Sequence, residues 1–242
     1  MSKNMRKITN QQGFTIIELM ISTAVLSVIL LVSTVMIVNI GTLYYKGINQ
    51  SRLQSATRTI SDEVAQHIQL SSGAAAAPAV PAPVPRNLHK AYCIGDTRYN
   101  YILNKKMDPA ADGTKDTSKH VLWRDKVTTG TCPVAADLNA TVPTASGVEL
   151  MPSNSRLIAF DIVQPSPYKI NITMAYGDSD LLCDTGIAND CTDDSVEGYK
   201  GNVASNNAGA TPSGTVLCKG ISAGRQFCAT AYLKTSVVQR LR

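Results

Sequence analysis

Residues 14–40 hold no Lys, Arg, His or Asp, and a single acid, Glu18. As a helix rising about 1.5 Å per residue, this run is roughly 40 Å long, more than the hydrocarbon core of about 30 Å. Such a segment cannot lie on the surface of a soluble domain without a cover, so a membrane span is the first expectation. Lys3, Arg6 and Lys7 precede the run, which predicts a cytoplasmic N-terminus and a translocated remainder. A cleaved secretory signal fits poorly, because the run is long and no clear small-x-small site followed by a folded start comes after it. A plain single-pass anchor leaves Glu18 without a reason, since an acid in a membrane helix normally has a partner.

The residues around that acid narrow the reading. Lys7 opens a polar leader that ends Gln11, Gln12, Gly13; then come Phe14, Thr15, Ile16, Ile17, Glu18, Leu19 and Met20. A short basic leader, Gly, Phe, Thr, two aliphatics, Glu, Leu and Met together resemble the start of a type IV prepilin or a type II secretion pseudopilin. The resemblance is specific over this stretch and holds only in outline beyond it. It implies cleavage between Gly13 and Phe14 by a prepilin peptidase, followed by methylation of the new Phe14 amine. Gly13 suits a groove that must approach the backbone closely, because glycine has no side chain in the way. The resemblance also implies that Glu18 pairs with the N-terminal amine of a neighbouring subunit. Such a pair acts as a register device, because it is strong in low dielectric only when both charges are present and well placed. Ser22, Ala24, Ser27 and Ser33 would let neighbouring helices approach, although a generic membrane helix carries such residues too.

Beyond the span, Leu53, Ala56, Ile60, Val64 and Ile68 recur at helical spacing, with Gln54, Ser55, Arg58, Asp62 and Gln66 off that stripe. One helix is therefore expected from residue 14 to about residue 70, its second half covered by a sheet. Gly41 and Gly47 are its candidate soft points. Residues 71–85 are rich in Ala and Pro and uncharged, which reads as an extended spacer. Strands are expected over residues 99–103, 120–124, 157–163, 168–176 and 227–238. Residues 157–163 and 168–176 read as a hairpin, with Ile170, Ile172 and Met174 on one face. The fold class is thus α+β, a pilin-like long helix on an antiparallel sheet. The organisation is a leader (1–13), a membrane or filament-core helix (14–40), its amphipathic continuation (41–70), a linker (71–85) and a β-rich extracytoplasmic head (86–242).

Six cysteines, Cys93, Cys132, Cys183, Cys191, Cys218 and Cys228, all lie on the translocated side and read as disulfides. Sequence does not choose among their connectivities; short loops favour Cys183–Cys191 and Cys218–Cys228, leaving Cys93–Cys132. Zinc is disfavoured, because no Cys-x-x-Cys is present. Asp178, Asp180, Asp184, Asp190, Asp193, Asp194 and Glu197 crowd one segment. Calcium could use such oxygens, but their order fits no EF-hand, and a solvated acidic loop is the preferred reading. The formal charge of +5 is concentrated in the leader, so no nucleic-acid partner is expected. No nucleophile elbow, metalloprotease motif or phosphate loop occurs, and His67, His89 and His120 read as surface or packing residues. No catalytic residue, metal or cofactor is expected. The size of the head and its long loops point to a minor pilin at a tip or initiating position. A secretion pseudopilin and a non-polymerising membrane-anchored adhesin or enzyme are the alternatives. The expected partners are the peptidase, other pilin subunits, the assembly platform and, before assembly, membrane lipid.

Overall fold

A computed structural model describes residues 13–71, 89–107, 121–126, 147–164, 167–177, 181–185, 215–219 and 224–240. Helix α1 spans Ile16–Leu70 without interruption. Gly41 and Gly47 are helical, and a Cβ at either would meet no atom within 4 Å. The expected soft points are therefore regular turns. The helix stops where the sequence turns to Ser, Gly, Ala and Pro: the Ser71 amide still donates to the His67 carbonyl (2.9 Å), and the Ser71 hydroxyl donates to the Ile68 carbonyl (3.2 Å).

The chain forms two units, divided between Tyr44 and Tyr45. In the first, residues 16–40 are exposed all round. In the second, the same helix buries Asn49, Leu53, Thr57, Ile60, Ser61, Val64 and Ile68 along one stripe. This is the expected stripe with two differences. Ala56 is only partly buried, and polar Asn49, Thr57 and Ser61 join the buried face. Thr57 is accommodated because its hydroxyl lies 2.8 Å from the Leu53 carbonyl and 3.2 Å from the Met174 sulfur.

Strands β1 (His89–Ile94), β2 (Thr97–Ile102), β3 (Leu122–Lys126) and β4 (Val148–Glu149) form one antiparallel sheet in that order. Strands β5 (Ser155–Val163), β6 (Tyr168–Tyr176) and β9 (Ala229–Val237) form a second, in the order β5-β6-β9. Short β7 (Leu182–Asp184) and β8 (Val216–Cys218) pair separately. The expected hairpin of residues 157–163 and 168–176 is β5–β6, and Ile170, Ile172 and Met174 are completely buried. The last expected strand loses its start, because Arg225–Phe227 forms a 3-10 turn instead. Asp184 is a buried β7 residue rather than part of a solvated loop. The other six acids of that segment, residues 71–85 apart from Ser71, and His120 lie outside the described residues.

Two sheets and a helix stripe meet in one core. Phe160 is its aromatic hub, edge-on to Tyr92 (5.6 Å) and Tyr101 (5.2 Å) and tilted against Tyr99 (6.3 Å). These aromatics supply large buried areas and defined pair geometry, which offsets their scarcity in the chain. Leu53, Ile60, Val64 and Ile68 close the same cluster from α1. A bulge between Leu157 and Ala159 turns Ile158 out of that cluster and into a second one with Ala175, Leu181, Leu182, Val216 and Cys228.

Polar contacts fix the helix on the first sheet. The Tyr99 hydroxyl lies 2.6 Å from His67 Nδ1, and Arg124 pairs with Glu63 at 2.9 Å. Burial, and then the Glu63 carboxylate, push the Tyr99 hydroxyl above the ordinary tyrosine range. On the opposite side chains of β2 and β3, Arg98 grips Asp125 through two nitrogens, with Nε at 2.8 Å from Oδ1. Glu149 accepts three backbone N–H groups, from Val121, Leu122 and Met151 at 3.0–3.1 Å, and so ties β4 to β3.

Candidate functional site: the capped end of the apolar helix

The sequence-marked residues Gly13, Phe14 and Glu18 sit together at the start of α1. Thr15 is the helix cap. Its backbone N–H and its hydroxyl each lie 2.9 Å from Glu18 Oε2, and the Glu18 amide returns a bond to Thr15 Oγ1 at 3.3 Å. This is a capping box, Thr at the cap and Glu three residues on, each side chain meeting the other's backbone N–H. Its local cause is simple: the first N–H groups of a helix have no carbonyl partner, and the positive end of the helix favours a carboxylate. The Thr-x-x-Glu spacing is visible in the sequence, and it gives Glu18 a structural role within its own chain.

Phe14 is 83% exposed, and a Cβ at Gly13 would meet nothing within 4 Å. The described chain therefore makes no demand for glycine at this position. The small residues Ser22, Ala24, Ser27 and Ser33 are likewise exposed on the apolar segment. Hydroxyls in the segment bond its own backbone: Thr23 to the Met20 carbonyl (3.0 Å), Ser27 to Ala24 (2.8 Å), Thr34 to Leu30 (2.8 Å) and Thr42 to Asn39 (2.8 Å). In hydrocarbon, where no water can serve these groups, such bonds are what makes a Ser or Thr tolerable.

The described cysteines lie elsewhere, in the second unit. Cys218 and Cys228 form a disulfide, joining β8 to the start of β9. Cys93 and Cys183 are also disulfide-bonded, while Cys132 and Cys191 lie outside the described residues. Among the described residues, no group of three or more His, Cys, Asp or Glu side chains could hold a metal ion.

A 55-residue helix with an apolar, fully uncovered N-terminal part is long and apolar enough to cross a membrane. It fits a membrane anchor carrying the rest of the chain outside, as in pilins. Residues 8–34 match the family model of the prokaryotic N-terminal methylation motif, and the chain carries this signature of type IV prepilins and pseudopilins. The motif implies processing by a prepilin peptidase and assembly with other pilin subunits. No curated protein and no solved structure matches the chain.

Proposed function

We propose that this protein is a minor pilin, a structural subunit of a type IV pilus. It is cut after Gly13, methylated on Phe14 and held in the cytoplasmic membrane by residues 14–40, with the head on the extracytoplasmic side. An assembly platform then moves it into the fibre, where its apolar helix exchanges lipid for the helices of other subunits. Carrying this reading is one observation: the methylation motif coincides with a helix that the chain itself leaves uncovered, so its apolar surface needs a lipid or helix partner. Gly13 supports it, because a glycine unused inside the chain suits an external groove.

In the free subunit Glu18 is held by Thr15; in the fibre its charge meets the Phe14 amine of the next subunit. Replacing Glu18 with Gln separates these roles. The amide oxygen of Gln still caps Thr15, whereas the negative charge is gone. The Glu18→Gln variant is expected to accumulate in the membrane at wild-type level and to be lost from sheared fibres. Equal incorporation of variant and wild type would sink the charge-pair reading. Deleting the protein distinguishes a pilus from a secretion pseudopilus: fibres are lost in the first case, and protein export in the second.

A further inference from the structure

Phe227 is one of three Phe in the chain, and it stands about half exposed at the end of the 3-10 turn Arg225–Phe227. An isolated exposed Phe is ordinary, but this one is neither isolated nor loosely placed. Its ring lies 6.3 Å from that of Tyr45, tilted by 45°. Tyr45 is itself exposed and follows Leu43 and Tyr44, both exposed at the end of the apolar segment. The turn is held from three sides. Asn49 Nδ2 donates to the Gln226 carbonyl at 3.1 Å. The Cys228–Cys218 disulfide follows Phe227 directly. Gly177, at φ 119°, passes so close that a Cβ there would meet the Phe227 carbonyl oxygen at 2.8 Å. A fixed apolar ring displayed toward the solvent side is a feature that needs a partner.

We propose that Phe227 and Tyr45 form a bilayer contact that seats the head on the lipid headgroup region at the far end of the span. This inference rests on the membrane-anchor reading. Continuity with the span selects lipid as the partner. Tyr45 follows the apolar segment directly along the chain, and Phe227 is in ring contact with Tyr45. From Glu18 to Tyr45 is about 40 Å of helix, which matches a bilayer of about 40–45 Å including its interfaces. Aromatic side chains collect at that level, and Lys46, exposed one residue on, offers its ammonium to lipid phosphate.

The test uses the full chain carrying Phe227→Trp, reconstituted in vesicles of phosphatidylcholine and phosphatidylglycerol, with and without bromine on the acyl chains. The native Trp123 is buried and remains as a constant background, read from the wild-type chain. Brominated lipid is expected to cut the added emission by about twofold or more, with Tyr45→Trp behaving alike, as interfacial rings should. Vesicle-bound protein whose added emission ignores bromine would overturn the proposal while leaving the anchor intact. Failure of the chain to float with vesicles would overturn both. Emission that ignores bromine but becomes shielded from aqueous iodide in assembled fibres would overturn it too, and would assign the patch to subunit packing.

Discussion

Leu53 and Leu31 lie on one helix and differ in what surrounds them. Leu53 is 1% exposed in the core, and Leu31 is 67% exposed on the apolar segment. Truncating Leu53 to Ala removes three buried carbons from the core cluster that the helix stripe shares with both sheets. A buried Leu→Ala change costs about 2–5 kcal/mol, the transfer loss plus a cavity. The unit from Tyr45 to Arg242 is large enough that 1 kcal/mol moves its midpoint by about 2–4 °C, so a middle value near 3 kcal/mol lowers Tm by roughly 6–12 °C. Leu31→Ala makes the same chemical change where no protein atom packs, and leaves that midpoint in place. The assay is near-ultraviolet circular dichroism of the full chain in detergent, which follows the Tyr92, Tyr99 and Tyr101 cluster around Phe160. Equal shifts for the two variants, or a Leu53→Ala shift below about 2 °C, would refute the claim that α1 is an integral wall of the head.

Two further outcomes follow from buried chemistry. Burial raises the hydroxyls of Tyr92, Tyr99 and Tyr101 above the usual tyrosine value; Glu63 adds to this at Tyr99, and Tyr92 and then Asp161 add to it at Tyr101. The unfolded chain releases these protons first, near pH 10. Their contribution to stability is therefore whole below about pH 10 and falls above it by up to about 1.4 kcal/mol per pH unit for each group. Denaturant titrations across that window should show the fall, and Tyr101→Phe should make it shallower; a flat profile would contradict the assignment. Converting Cys218 and Cys228 together to Ser opens a loop with a sequence separation of 10, and should lower stability by about 2–3 kcal/mol in the same titrations. An unchanged midpoint would show that the bridge is dispensable.

Period and composition made much of this architecture legible. The apolar run and the Leu53, Ile60, Val64, Ile68 stripe each state their surroundings, since one carries no charge beyond Glu18 and the other repeats at helical spacing. The β5–β6 hairpin was legible because Ile170, Ile172 and Met174 alternate just after Pro165 and Pro167 in the sequence. What escaped has local causes. Strands β4, β7 and β8 have two or three residues, too few for a period. The β1–β2 hairpin was missed although its signal was present: Gly95-Asp96 is a two-residue turn, with Gly95 at φ 63° where a hairpin turn of the primed class needs left-handed backbone. Asn49 gave no signal at all, because its burial depends on a carbonyl 177 positions away. At the candidate site Gly13, Phe14 and Glu18 could be read from motif spacing. Thr15 was equally legible, because Thr-x-x-Glu is the spacing of a capping box, but the charge of Glu18 in an apolar run is the stronger signal there.

The chemical state of the N-terminus in working fibres bears on the central claim most directly. Intact-mass and peptide mass spectrometry of sheared fibres is predicted to find this chain beginning at Phe14, its amine carrying one added methyl group. Recovery from those fibres of a chain that still carries residues 1–13 would contradict it.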